Sequence, residues 1–224
     1  MILVKPSFEI LTPELHIPFG LAQIEKAGRT CYKSAMKDAY DETIKFIGKL
    51  VKSGHESVIE HFNLTVKFTV DRGVTHELVR HRIASYSQES TRYCNYHGAV
   101  TFVIPPWVDL KPRIYLPSLP EWHLIEGNDK VWIYAMLDSE VRYTELLNKG
   151  WTPQQARSVL PNSTKTEIVM TANLREWRHV LKLRTSKAAH PQMREIMIPL
   201  LKEFRKLIPV VFNDIGEGNE DEKK

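Results

Sequence analysis

The stretch RHRIASYSQESTRY, residues 80–93, is where this chain concentrates side chains that could do chemistry: Arg80, His81 and Arg82 are consecutive, and Ser90 and Arg92 close the run. Adjacent cations repel, so something anionic should offset them. Guanidinium forks match phosphate and carboxylate oxygens two at a time, and serine hydroxyls with loop N–H groups complete such cages. One reading is therefore a cradle for a phosphorylated small molecule. Three others compete with it. HELVRH (76–81) resembles a zinc-protease helix, but its histidines stand five positions apart, roughly 140° round a helix rather than on one face. His55 and His61 lack a third ligand at credible spacing, so no metal is expected. A nucleic-acid surface is suggested by the interleaved Tyr86, Tyr93, Tyr96 and Phe102, yet no zinc-finger or RNA-recognition signature accompanies it and the sequence pI of 8.9 is modest. The last reading is structural, with the cations solvated or paired with Glu77 and Glu89. The ten glycines form neither a GxGxxG fingerprint nor a P-loop, so a nucleotide here would be held by side chains.

The same residues carry a resemblance. RHR, seven intervening residues, then Ser with Arg-Tyr two and three positions on, is similar to the signature of the flavin-dependent thymidylate synthases. The similarity extends to SGHESVIEH (53–61), QQARSVLP (154–161) and TANLREWRHVLKLR (171–184), in the family's order, over roughly residues 20–205. It implies an α+β fold with a central, mostly antiparallel sheet packed with helices, a single domain over residues 1–212 that assembles as a homotetramer, and active sites shared between protomers. It also implies conversion of dUMP to dTMP, with 5,10-methylenetetrahydrofolate as carbon donor and FAD, reduced by NADPH, as hydride donor. Carried onto this chain, the resemblance places His55, Ser57, Arg80, His81, Arg82, Gln88, Asn173, Arg175 and His179 at flavin positions, with Glu60 a weaker match. Glu77, Arg80, Gln88, Glu89, Ser90, Thr91, Arg92, Arg157 and Arg184 fall at dUMP positions. Arg184 is the implied catalytic residue: a cation against the uracil edge stabilises negative charge spread through the ring and makes C5 a better carbon nucleophile. The chain departs from the family's common residues at Glu77, Ser87, Gln88 and Thr91. A non-catalytic nucleotide- or RNA-binding protein of the same fold is the alternative.

The elements that must position these residues are mixed. Residues 40–52 place Tyr40, Ile44, Ile47 and Val51 on one helical face, with Gly54 as the stop. NLTVKFTV (63–70) alternates strictly and predicts a strand with Leu64, Val66, Phe68 and Val70 inside. Residues 74–81 predict a helix, 99–104 and 164–173 two further strands, and 105–128, with five prolines, an irregular excursion. Helices are predicted over about 129–149, after the Thr152-Pro153 start, over 174–184, and from Pro191 to about Ile208 with a bend at Pro199. Asn173 could equally serve only to cap the helix that follows it.

At 224 residues and 42% hydrophobic content one core suffices, and no apolar run approaches the ~20 residues of a membrane span, so a cytoplasmic protein with no membrane or nucleic-acid partner is expected. The net charge of +4 conceals an acidic end: residues 213–224 hold five acids against two lysines, have little apolar content and are expected to be disordered, which leaves the body at +7. Cys31 and Cys94 belong to no disulfide or zinc pattern. Thymidylate synthesis that attacks uracil with a thiolate needs an activated cysteine, whereas the flavin route implied here needs none. The Cys31→Ala/Cys94→Ala double variant is expected to keep most of its dTMP-forming activity. Loss of turnover with folding and FAD content intact would point to a thiolate mechanism.

Overall fold

The computed structural model describes residues 1–36, 39–116 and 120–216 and is mixed α+β. It divides into two compact units, each assembled from three separate stretches of chain, and the division runs through four strands.

The first unit comprises residues 1–7, 68–80 and 87–168. Its three-stranded sheet has β1 (Ile2–Val4) in the centre, parallel to β5 (Thr101–Val103) and antiparallel to β6 (Arg113–Ile114). The parallel ladder is possible because nearly a hundred residues separate the two strands, room for the crossover that parallel pairing requires. β6 and a 3₁₀ turn over Pro120–Leu124 fall inside the stretch expected to be irregular, of which residues 117–119 lie outside the described residues. Leu3, Phe102 and Ile104 pack with Tyr115, Trp122 and the inward residues Ile133, Met136 and Tyr143 of α4 (Gly127–Asn148). The N-terminal ammonium is buried here against Glu140 Oε2 at 2.9 Å.

Two sequence expectations bear directly on the site. The helix predicted over 74–81 is α3 (Arg72–Leu78), started by Asp71, whose Oδ1 accepts from the Val74 N–H at 2.7 Å. It ends before His81, so His76 and His81 do not share a helix and the zinc-protease pattern has no structural basis. β4 (Ala84–Gln88) then gives the middle of the RHR stretch a regular extended conformation.

The second unit takes in residues 8–67, 81–86 and 169 onward. The strand read from the alternation is β3 (Asn63–Asp71), with Leu64, Val66, Phe68 and Val70 fully buried. With β2 (Ser7–Ile10), β4 and β7 (Lys165–Asn173) it forms a four-stranded sheet in the order β2-β3-β7-β4. In this unit α1 (Ile17–Tyr32) packs on α2 (Tyr40–Lys52), and α6 (Leu174–Arg184) packs on α7 (Pro191–Leu207), which runs through Pro199 as one helix. The α2 face differs from the expected one: Thr43, Ile47 and Leu50 are buried, whereas Tyr40 is 53% exposed. The cause is polar. The Thr43 hydroxyl donates to buried Glu25 at 2.5 Å, and Glu25 also accepts from Arg29 Nε at 2.6 Å, so a partner that apolar periodicity cannot register rotates the helix. Gly54, at φ +73°, closes α2 with paired bonds from Gly54 N–H to Val51 and His55 N–H to Leu50, the left-handed stop that glycine adopts without steric cost.

α6 is fixed on both sides. Trp177 is fully buried, edge-on to Phe204 of α7 at 5.2 Å, and its Nε1 donates to the Leu64 carbonyl at 3.0 Å. Burial of each such side chain contributes about 1.5–3 kcal/mol. Arg178, 2% exposed, donates from Nε to Glu56 at 2.9 Å, and its Nη1 and Nη2 bond the two Asp214 oxygens at 2.6 and 2.7 Å. Nη1 also donates to the carbonyl of Val211 in α8 (Pro209–Phe212). These contacts move the start of the acidic tail: Asp214 is held by Arg178 and Ile215 is 1% exposed, because a buried guanidinium needs a carboxylate and the chain end supplies it. Residues 217–224 of the expected tail lie outside the described residues.

Removing Arg178 leaves two carboxylates without their cation, so Arg178→Ala should cost on the order of 3 kcal/mol in chemical denaturation. The hydrogen bond from Arg178 holds the Asp214 carboxyl below its ordinary value of 3.8. A depressed carboxylate stabilises the fold above its unfolded-state value and loses that contribution as the pH falls through the folded one. Acid destabilisation below about pH 4 should therefore be steeper in the wild type than in Asp214→Asn.

Candidate active site

The second unit positions a histidine, an arginine and a carboxylate around the outer face of α6. Asn173 ends β7 and caps α6, its Oδ1 accepting from the Glu176 N–H at 2.8 Å, so its side chain has the structural role that the sequence left open. With Leu174, Trp177 and Leu181 committed to the core, helical spacing turns Arg175 and His179 outward and brings Glu176 and Arg184 to one side. His81, 5% exposed, meets them: Arg184 Nε donates to His81 Nε2 at 3.0 Å, and His81 Nδ1 lies 3.5 Å from Glu176 Oε1. The His179 ring stands edge-on to His81 at 5.6 Å, and the Tyr86 hydroxyl donates to the His81 carbonyl at 2.8 Å. Burial first, then the positive fields of Arg184 and His179, lower the His81 pKa to about 4. The imidazole is thus neutral near pH 7, as a lone-pair acceptor for an arginine must be. Burial raises the Glu176 carboxyl, and pushes the Tyr86 phenol up to about 12.

A cavity of about 530 Å³ opens beside this group, lined by Ile83, Asn173, Arg175, His179 and Lys182 together with the carboxylates of Glu56, Glu60 and Glu176. Arg175 Nη1 bonds Glu60 at 2.5 Å, with both side chains largely exposed. Such a pair is weakly held in water, and Arg175 can exchange Glu60 for a bound anion. His55 and Ser57 are exposed residues at and just after the end of α2's stop, at the start of the 3₁₀ turn Glu56–His61. Arg82 is exposed as well.

The first unit carries the other half of the signature. Glu89 accepts from the Tyr96 hydroxyl at 2.8 Å, from Lys165 at 3.1 Å and from the Glu167 N–H at 3.2 Å. Gln88 Nε2 donates to Thr75 at 3.0 Å and to Thr166 at 3.3 Å. Both side chains are turned to protein partners and fix the loop that follows. In that loop the Tyr93 and Cys94 N–H groups return to the Ser90 carbonyl, and Arg92 Nε donates to Gln154 at 3.1 Å. Thr91 is buried and accepts from Arg157 Nη1 at 3.0 Å, which draws in the residue that follows α5 (Pro153–Ala156). Arg80 is exposed and its N–H closes on the Glu77 carbonyl at 3.1 Å. A cavity of about 460 Å³ lies among Arg72, Thr91, Gln154, Arg157 and Asn162.

Known proteins resemble the chain over most of its length. The model of the thymidylate synthase complementing protein family matches residues 16–210. The chain belongs to that family. Among curated relatives, the flavin-dependent thymidylate synthase of Geobacter sulfurreducens is 33% identical over 210 residues, covering 91% of this chain and 85% of the relative. That of Mycobacteroides abscessus is 35% identical over 204 residues, covering 87% and 79%. A solved structure, the UMP/dUMP methylase PolB from Streptomyces cacaoi bound with 5-Br UMP, superposes with a TM-score of 0.70 at 25% identity, covering 95% of each chain.

In this member of the family, two features escaped the sequence reading. His81, Glu176 and His179 bring ligand-type atoms within 4.8 Å of one another, but the Arg184 guanidinium already occupies His81 Nε2 and sets a fixed cation against the group, which opposes a metal ion. Arg72 is the other. It lines the first unit's cavity with Nη1 buried and without a hydrogen-bond partner among the described residues. Nothing in the sequence singled it out. A desolvated donor without an acceptor is unfavourable until an anion arrives. Arg72→Met should therefore leave the melting temperature of the ligand-free protein unchanged or raised, while cutting the thermal stabilisation by dUMP or inorganic phosphate. A loss of ligand-free stability instead would mean that Arg72 is a structural residue.

Proposed function

We propose that the protein is a flavin-dependent thymidylate synthase that methylates dUMP to dTMP, taking the one-carbon unit from methylenetetrahydrofolate and using NADPH as reductant. The observation that carries this reading is Arg184 at the end of α6, its Nε bonded to a neutral, buried histidine. The neutral acceptor holds the guanidinium in a defined plane, as stabilising developing charge on a pyrimidine edge requires. Arg72, Arg157 and Thr91 of the first unit's cavity offer donors to a phosphate.

The residues present also fit a flavin. The second unit's cavity offers Arg175, Lys182 and His179 as donors to phosphate or ring-edge oxygens, and Ile83 as an apolar wall. His81 is committed to Arg184 and on this reading shapes the flavin site, while Asn173, whose Oδ1 caps α6, also lines the cavity. Bound FAD would supply the hydride that completes the methyl group. The chain's own residues bind the anions, orient the pyrimidine through Arg184 and leave the thiols unused. Exposed Val131, Tyr134 and Val141 along α4 support assembly into the expected homotetramer. Among the described residues no helix is long and apolar enough to cross a membrane.

The protein should purify yellow or take up FAD stoichiometrically, and NADPH should bleach it anaerobically. Assays with dUMP and with UMP in parallel separate thymidylate synthesis from methylation of the ribonucleotide. A colourless protein that binds RNA with a steep salt dependence would overturn the proposal. Arg184→Lys keeps the charge but loses the planar fork, so turnover should fall by about 10²–10³ with FAD affinity near wild type. Unchanged turnover would remove Arg184 from the mechanism.

A further inference from the structure

The donor and acceptor chemistry around His81 fixes more than its charge. Arginine is donor-only, so the 3.0 Å contact between Arg184 Nε and His81 Nε2 requires a lone pair on Nε2. The imidazole proton must then sit on Nδ1, which faces Glu176 Oε1 at 3.5 Å. Glu176 is 8% exposed, three residues into α6 and across from His179. An acid at that position commonly reaches back to its helix cap. Here Asn173 provides the cap with its own side chain, and the Glu176 carboxylate is turned to His81.

We propose that Glu176 is a positioning residue: as the acceptor for His81 Nδ1–H it selects the imidazole tautomer whose Nε2 receives Arg184, and so sets the plane of the guanidinium. Without it, the Nδ1–H tautomer leaves a buried donor unsatisfied, and the proton moves to Nε2, where it collides with the Arg184 N–H. Arg184 must then turn away. The inference rests on the proposed role of Arg184 for its consequence in turnover, but not for its structural content. Of the groups around His81, Arg184 is donor-only and the Tyr86 hydroxyl is engaged with the His81 carbonyl; the His179 ring stands edge-on at 5.6 Å between centroids, and the carboxylate that Nδ1 faces at 3.5 Å is Glu176.

The test compares Glu176→Leu with Glu176→Gln in the full-length, flavin-loaded protein. The amide of Gln can still accept from Nδ1–H, whereas Leu cannot. Glu176→Leu should lower kcat about 10- to 100-fold with the KM for dUMP little changed, and Glu176→Gln should restore most of the loss. Nitrogen NMR of histidine-labelled, ligand-free protein gives a readout independent of activity: His81 should carry its proton on Nδ1 in the wild type and Glu176→Gln, and on Nε2 or on both in Glu176→Leu. A wild-type proton on Nε2, or an unchanged tautomer in Glu176→Leu, would overturn the proposal. Should Glu176→Leu fail to fold, Glu176→Ala carries the same comparison. If the tautomer shifts as expected but the wild type makes no dTMP, the fault lies with the proposed function and not with the relay.

Discussion

A hydrogen bond between an arginine and an uncharged, buried imidazole is the constraint around which the second unit is organised. It exists only while His81 stays neutral, and burial together with the nearby cations keeps it so. Were His81 protonated near pH 7, the same geometry would set two positive charges 3.0 Å apart in a water-poor site. The protein thus uses desolvation, usually a cost, to make a histidine into an obligate acceptor and so hold a cation in place.

That arrangement depends in turn on how rigidly α6 is seated. One face of the helix is spent on Leu174, Trp177 and Leu181 in the core, and Arg178 ties the helix to Glu56 on one side and to Asp214 on the other. A helix so fixed cannot rotate to relieve strain at Arg184, so small changes in the partners of His81 must be absorbed by side chains rather than by backbone. Two arginines on one helix thereby take opposite roles: Arg178 is fully paired and structural, while the exposed Arg175 shares its Glu60 with solvent and can exchange it.

In the first unit the division of labour falls between acids and cations. Glu89 accepts three hydrogen bonds and Gln88 donates two, and these contacts hold the segment from which Thr91 meets Arg157. The departure of Gln88 from the family's common residue is accommodated because an amide can donate to the Thr75 and Thr166 hydroxyls, which a carboxylate cannot. Arg72, with Nη1 buried and without an acceptor among the described residues, is the complementary case.

The sequence by itself determined the main elements and the family to which the chain belongs. Strict alternation in NLTVKFTV and the apolar spacing of LREWRHVLKLR each admitted one secondary structure, and β3 and α6 follow them closely. The spacing of RHR, Ser90 and Arg92 pointed to an anion-handling site whatever the fold. Tertiary structure decided what pattern cannot encode, namely which polar groups find partners. The face of α2 turned toward Glu25 because of a threonine hydroxyl, the tail's first residues were recruited by Arg178, and Glu176, which the sequence did not single out, came within 3.5 Å of His81. Apolar burial is proportional to area and periodic along the chain, so it is legible locally. A buried hydrogen bond depends on direction and on a partner often a hundred positions away, so only the folded chain can specify it.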